Sequence, residues 1–110
     1  MKNIFQTGDR KIFKRLVTTH DVARFQSAGV HDVYSTFAIA RDAEWCGRLF
    51  VLEIKDEDEE GIGTFISVEH LSSALVGEEV IFTATLNSFS GNEIKTAFEA
   101  KVDERLIATG

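Results

Sequence analysis

Residues 37–51 read FAIARDAEWCGRLFV and carry the strongest helical pattern in the chain. At about 100° per residue, one side of this segment is apolar and has small residues at its centre: Ile39, Ala40, Ala43, Gly47, Phe50 and Val51. The other side carries Arg41, Asp42, Trp45 and Arg48. Ser35 or Thr36 is placed to cap the helix. With so little bulk on its inner face, the helix can approach another backbone closely, which suits a helix cradled by a curved sheet.

The segments around this helix alternate with a period of two, which is typical of strands. They predict an edge strand over residues 11–18 and further strands over residues 62–71, 80–86, 94–102 and 106–108, while residues 19–29 predict a short helix. Residues 76–78, 90–92 and 103–105 provide the turns. Because strands joined by short turns are antiparallel, the order predicts an α+β fold with one long helix on an antiparallel sheet.

Length and charge narrow the class of protein. The chain has 110 residues, so we expect residues 1–110 to form a single domain. Its net charge of −6 opposes binding to nucleic acid. Six acidic residues and one lysine give residues 53–60 a charge of −5, which leaves only −1 for the rest. The acidity therefore belongs to one predicted loop, and a small anionic ligand is not excluded.

The location of the protein is predicted from what the sequence lacks. It has one cysteine, so it forms no internal disulfide, and its N-terminus shows no signal-peptide pattern. No apolar stretch approaches the roughly 20 residues that a membrane helix needs. We expect a soluble cytoplasmic protein without a membrane partner.

Three polar side chains interrupt these patterns: Thr36 at the helix entry, Glu44 at the margin of its apolar face and His70 on an apolar strand face. A carboxylate that is partly removed from water has a raised pKa and can serve as a general base, or it can attack a carbonyl directly. A histidine can donate or shuttle a proton, and a hydroxyl at a helix N-terminus can orient a carbonyl or act as the nucleophile. Together the three indicate acyl transfer or hydrolysis.

Each of the three also has a purely structural interpretation. Glu44 and Arg48 have the i, i+4 spacing of a common solvated ion pair on a helix. His70 fits a hydrogen-bonded core histidine, and Thr36 fits an N-cap. Taken singly, none of them establishes a site.

Other reactive side chains suggest less. His20 and His31 have no Cys or His partners at metal-ligand spacing, so no metal site is predicted. Cys46 lies within the predicted helix with no obvious base beside it, which predicts a buried structural thiol.

Several motifs taken together suggest a family. They are VYST at residues 33–36, Glu44 eight residues after Thr36, Gly63-Thr64, VEHL at residues 68–71, Gly77 before a strand, a hairpin centred on Asn92 and LIATG at residues 106–110. In these motifs the chain resembles the hotdog-fold thioesterases, and most of all their fluoroacetyl-CoA thioesterase-like group. The resemblance extends from about residue 13 to residue 110. It implies a hotdog fold, in which an antiparallel β-sheet wraps one long central helix.

The resemblance also implies an activity, which is hydrolysis of a small acyl-CoA thioester with CoA as part of the substrate and no other cofactor. Thr36 would then orient or attack the thioester, Glu44 would act as base or nucleophile, and His70 would donate a proton or orient the substrate. Gly63 would bring the backbone close to the acyl group. Phe37, where related sequences commonly carry proline, would reshape the acyl pocket, so fluoroacetyl-CoA is not carried over as the substrate.

Two other activities remain open. The main alternative is a hotdog module that binds an acyl-CoA or a small carboxylate without turnover. A dehydratase acting on acyl thioesters is a third, although the His with Asp or Glu pattern of such sites is not found.

Partners also follow from the resemblance. Hotdog domains generally pair edge to edge with sites between subunits, which implies a homodimer or a higher homo-oligomer, and Trp45 is a candidate contact. The phosphates of CoA need basic side chains, for which the candidates are Lys11, Lys14, Arg15, Arg41 and Arg48.

Overall fold

The computed structural model describes residues 2–22 and 32–110. Its elements in chain order are β1 (Arg10–Leu16), α1 (Thr36–Ile54), β2 (Glu69–His70), β3 (Glu79–Ser90), β4 (Glu93–Val102) and β5 (Arg105–Thr109). The five strands form one antiparallel sheet in the order β1-β3-β4-β5-β2. The α+β prediction is therefore confirmed, and β1 is an edge strand as expected. Most of the short helix predicted over residues 19–29 lies outside the described residues.

Helix α1 is longer than the predicted segment 37–51 and begins one residue earlier. Its N-cap is Ser35, whose hydroxyl accepts a hydrogen bond from the Ala38 backbone N–H at 3.0 Å. At the other end the apolar stripe continues for one more turn, because Ile54 is fully buried four residues after Phe50.

The placement of Asp42 on the outer helix face was wrong. Asp42 is buried, because the Tyr34 hydroxyl donates a hydrogen bond to its carboxylate and Arg41 pairs with it. A buried charge is tolerated when it is paired and hydrogen-bonded, and hydrophobic periodicity does not detect such partners.

The core lies between α1 and the inner face of β3 and β4. Phe82 of β3 is fully buried, and its ring contacts those of Phe13, Tyr34 and Phe98 at centroid distances of 6.2–6.4 Å. Helix α1 lies close to β4 at Gly47, where an added Cβ would lie 3.2 Å from Thr96 Oγ1. The predicted close approach of a small-residue helix to the sheet is thus confirmed.

The strand predicted over residues 62–71 is wrong for most of its length. Only Glu69 and His70 form a strand, and they pair with Thr109 and Ala108 of β5. Residues 62–67 are exposed along both of the faces that the alternation defines. A strand requires a partner, and within the described chain this segment pairs with β5 at Glu69 and His70 alone.

The predicted turns are confirmed. Strands β3 and β4 are joined at Gly91 and Asn92, with Gly91 at φ +59°, and β4 and β5 are joined at Asp103 and Glu104. Gly77 has φ +92° and donates its N–H to the Val17 carbonyl, which leads the chain into β3. Among the described residues, no helix is long and apolar enough to cross a membrane.

Candidate active site

Thr36 and His70, which are 34 residues apart in sequence, meet in the structure. Thr36 Oγ1 lies 2.9 Å from His70 Nδ1, and both residues are exposed. The N-cap role belongs to Ser35, so the Thr36 hydroxyl is left for this contact. His70 is not a core histidine either. The two structural interpretations of these residues are therefore disfavoured, and a hydroxyl–imidazole pair faces solvent at the start of α1.

Backbone hydrogen bonds bring these two residues together. The Tyr34 N–H donates to the Ala74 carbonyl at 2.8 Å, and an isolated bridge joins Val33 to Leu75. On the other side, His70 is fixed by its pairing with Ala108 in β5. The entry to α1 is thus held beside the end of β2.

Glu44 has a different neighbour. It is exposed on α1, and Gly63 lies so close to it that an added Cβ would come within 2.8 Å of Glu44 Oε1. The expected ion pair with Arg48 does not form among the described residues, because the Arg48 guanidinium donates to the Gly61 carbonyl at 2.9 Å. Residues 61–63 therefore run back along the helix, with Gly61 next to Val51 and Gly63 beside Glu44.

The one chain thus forms two pairs, Thr36 with His70 and Glu44 with Gly63. Eight residues separate Thr36 from Glu44 on one helix, which corresponds to about 12 Å along its axis. No hydrogen bond joins the two pairs within the part of the chain that the structure describes. Gly63 lies next to Glu44, a candidate catalytic group, and its predicted closeness to an acyl group stays a prediction.

A cavity of about 470 Å³ opens beside Glu44. It runs between α1, β4 and residues 61–67, and its lining includes Ala43, Gly47 and Val51 of the helix together with Ile94 and Phe98 of β4. Phe37 is 82% exposed and is not part of this lining, so its predicted effect on the acyl pocket stays a prediction. The chain therefore offers a ligand a space that begins at a carboxylate and continues along apolar side chains.

A network of charged groups surrounds the buried carboxylates of Asp21 and Asp42, and the sequence did not indicate it. The Asp21 carboxylate accepts hydrogen bonds from Arg15 and Arg41, both at 2.8 Å, and from Thr18. Burial alone would raise the pKa of Asp21, but these hydrogen bonds outweigh it and hold that pKa far below its ordinary value.

Asp42 extends the network into the core. The Tyr34 hydroxyl donates to it, and Arg41 donates to both of its oxygens at 3.0 Å. Burial is the largest cause of the raised pKa of Tyr34, and the hydrogen bond to the Asp42 carboxylate is the second. The phenol therefore keeps its proton. The network ties β1, the segment before α1 and the first half of α1 into one unit.

Most of the candidate cations for CoA phosphates are already engaged within the chain. Arg15 and Arg41 pair with Asp21, Lys11 pairs with Glu53, and Arg48 is bonded to Gly61. Lys14 alone among the five is exposed and has no ion pair within the described residues. Which cations meet the phosphates of CoA stays a prediction.

The remaining predictions concern groups outside this site. Cys46 is fully buried, and burial raises the pKa of its thiol, which confirms the structural interpretation. Trp45 is partly exposed on the outer helix face, and its role as an interface contact stays a prediction. No group of three or more His, Cys, Asp or Glu within the described residues could hold a metal ion.

The family model for fluoroacetyl-CoA-specific thioesterase, FlK, matches residues 17–110. No curated protein matches the chain significantly. Solved structures do: a thioesterase superfamily member from Thermus thermophilus is 34% identical, with a TM-score of 0.89 over 99% of this chain and 80% of that one.

Two further structures share the fold at lower identity. FlK itself has a TM-score of 0.88 and 22% identity over 98% of this chain and 84% of that one. A hot-dog-like protein from Thermanaerovibrio acidaminovorans has a TM-score of 0.85 and 22% identity over 96% of this chain and 78% of that one. The hotdog fold expected from the sequence is thereby confirmed.

Proposed function

Because the chain belongs to the FlK family of hotdog-fold thioesterases, we propose that it hydrolyses a small acyl-CoA thioester and uses Thr36, Glu44 and His70. The hydrogen bond between Thr36 Oγ1 and His70 Nδ1 is the observation that carries this proposal. It joins two exposed polar side chains from distant parts of the sequence, neither of which the fold needs for capping or for core packing.

The reaction adds water to the thioester carbonyl and releases a carboxylic acid and the CoA thiol. Glu44 takes a proton from the attacking water, or attacks the carbonyl itself and forms an anhydride that water then opens. The Thr36 hydroxyl orients the carbonyl or adds to it. His70 holds that hydroxyl through Nδ1 and protonates the departing sulfur of CoA. A mutant of FlK has been crystallised with fluoroacetate and CoA, which supports a CoA ligand for its relatives.

Within the described residues of one chain the Thr36–His70 pair and the Glu44–Gly63 pair are not joined by a hydrogen bond, and this separation supports a homodimer as the active form. Residues 61–68 form no strand with the described chain, and Ile62 and Phe65 in this segment are 86% and 87% exposed. A second copy pairing antiparallel along this segment would bury them. A two-fold axis between Ile66 and Ser67 would place Gly63 of one copy opposite His70 of the other. Glu44 of the first copy would then face the Thr36–His70 pair of the second copy across the interface.

The proposal is tested by release of free CoA from a panel of acyl-CoA thioesters. We expect Glu44→Gln and His70→Ala each to lower kcat by about 100-fold or more, since each removes a proton-transferring group. Thr36→Val should also lower kcat, and Thr36→Ser should restore it, because serine keeps the hydroxyl. Glu57→Gln and His20→Ala, which change an exposed acid and an exposed histidine away from the site, are the matched controls.

Two results would count against the proposal. If the substituted proteins hydrolyse as fast as the parent, the roles given to these residues are wrong. If the parent binds acyl-CoA tightly and releases no CoA from any thioester of the panel, the protein is a binding module of the hotdog fold rather than an enzyme.

A further inference from the structure

Residues 61–67 lie along α1 and are attached to it by one hydrogen bond. Within the described residues, this is the bond that the Arg48 guanidinium donates to the Gly61 carbonyl at 2.9 Å. None of the residues 61–67 belongs to a strand, since β2 begins at Glu69. Arg48 is therefore the polar link between this segment and the helix.

Two acceptors compete for the Arg48 side chain. Glu44 precedes it by four residues on the helix, which is the spacing of a common ion pair. Within the described residues the guanidinium nevertheless bonds to the Gly61 carbonyl, in a partly buried contact. This arrangement holds the segment and leaves the Glu44 carboxylate exposed.

The same bond determines where Gly63 passes the helix. Gly61 and Gly63 are two residues apart, which is at most about 7 Å of extended chain. Arg48 and Glu44 are about 6 Å apart along the helix axis. With Gly61 held at Arg48, the chain therefore reaches Glu44 at Gly63. An added Cβ at Gly63 would indeed lie 2.8 Å from Glu44 Oε1, and one at Gly61 would lie 2.5 Å from Val51 Cγ1.

We propose that Arg48 is a positioning residue for hydrolysis: it fixes residues 61–63 on α1 and so holds the Gly63 backbone against the Glu44 carboxylate. The inference rests on the proposed thioesterase activity, in which Glu44 accepts a proton or attacks the carbonyl. It gives Arg48 a role other than contact with the phosphates of CoA. In the proposed homodimer, pairing along residues 61–68 fixes the segment to the partner, whereas Arg48 fixes it to the helix of its own chain.

Steady-state kinetics with the best thioester of the panel distinguishes the two roles of Arg48. We expect Arg48→Met to lower kcat by about tenfold and to leave KM within about threefold, because a misplaced catalytic group slows the reaction without weakening binding. Arg10→Met, at the exposed start of β1, is the matched control and should leave both constants unchanged. A raised KM with the kcat of the parent would show that Arg48 binds substrate phosphates, and it would overturn the positioning role.

A double-variant comparison shows whether Arg48 acts through Glu44. In a Glu44→Gln protein, the additional Arg48→Met substitution should lower kcat by less than about twofold, since the carboxylate that Arg48 positions is already absent. A further tenfold loss in this background would mean that Arg48 acts independently of Glu44, and it would overturn the proposal.

Gly61 tests the same contact without a change at Arg48, and it serves if Arg48→Met does not fold. Gly61→Ala should lower kcat by about fivefold or more, because the new methyl group overlaps Val51 Cγ1 and displaces the segment. Val51→Ala removes that Cγ1 atom. The protein with both substitutions should therefore come within about twofold of Val51→Ala alone, whereas an equal loss in both backgrounds would contradict the proposal.

Failure of the thioesterase proposal is distinguishable from failure of this one by a measurement that needs no turnover. An added Cβ at Gly63 would lie 3.9 Å from Glu44 Cγ, so the parent should show a nuclear Overhauser effect between Gly63 Hα and Glu44 Hγ. Arg48→Met should remove this signal and Arg10→Met should retain it. If Arg48→Met retains the signal, the positioning role is overturned, whether or not the parent hydrolyses a thioester.

Discussion

At the scale of single residues, Asp21 shows how a buried carboxylate stabilises the fold around the candidate site. Its side chain is completely buried, while the Arg15 and Arg41 side chains that pair with it remain 34% and 44% exposed. Because the pKa of Asp21 is lower in the folded protein than its unfolded value near 3.8, the carboxylate stabilises the fold at neutral pH. This contribution to stability is lost as the pH falls from the pKa of Asp21 in the unfolded chain toward its lower pKa in the folded protein.

We predict that Asp21→Asn lowers the free energy of unfolding by about 2 kcal/mol at pH 7, less than for a fully buried pair because the arginines reach solvent. The difference from the parent should shrink as the pH falls below 4, because Asp21 then binds a proton in the unfolded parent but not yet in the folded one. Urea denaturation at pH 7 and pH 3 measures it. Asp58→Asn, in the exposed acidic loop, is the control, and a gap that is independent of pH would contradict this account.

The same scale shows what the sequence could reveal. Thr36 and His70 were identified because a polar residue that interrupts an apolar pattern is visible along the chain. Asp42 was misplaced because a helical wheel treats every carboxylate as an outward group. Its partner Tyr34 precedes the helix, so their hydrogen bond depends on how the chain enters α1.

At the scale of elements, residues 61–63 owe their position to their two glycines. The absence of a Cβ at Gly63 lets its backbone pass against the Glu44 carboxylate, and the absence of a Cβ at Gly61 lets it pass against Val51. Neither Gly61 nor Gly63 has a positive φ. The constraint is therefore close approach and not backbone conformation.

We predict that Gly63→Ala lowers kcat by about tenfold or more, because the new methyl group displaces a carboxylate whose position matters for catalysis. The free energy of unfolding should change by less than about 1 kcal/mol, since the displaced atom is the end of a flexible and exposed side chain. Thioester hydrolysis and thermal denaturation of the same variant measure the two quantities. Full activity in Gly63→Ala would show that the Glu44 carboxylate works elsewhere.

The elements also explain which parts of the fold the sequence predicted. Helix α1, strands β3 to β5 and their turns have their partners within the chain, so local pattern and tertiary structure agree. Residues 62–68 carry an equally regular alternation but have no such partner in the described chain. Periodicity reports which faces a segment offers, and the neighbour decides whether a strand forms.

At the scale of the whole molecule, the proposed sharing of the site between two copies leads to a specific prediction about mixed subunits. We predict that Glu44→Gln and His70→Ala, each inactive alone, form an active heterodimer with about half of the parent activity. One of its two sites then contains both substitutions, and the other contains neither.

Co-expression with two different affinity tags isolates the heterodimer for assay. If Glu44 and His70 act within one chain, both sites of this heterodimer are damaged and it stays inactive. A heterodimer of two Glu44→Gln subunits that carry the same two tags is the control for the purification, and it should show no activity.

The sheet order also makes the position of His70 depend on a strand that is distant in sequence. Within the described residues, His70 lies on β2, which pairs with β5 (Arg105–Thr109). A substitution in β5 that weakens this pairing is therefore expected to move the imidazole away from the Thr36 hydroxyl without changing either residue.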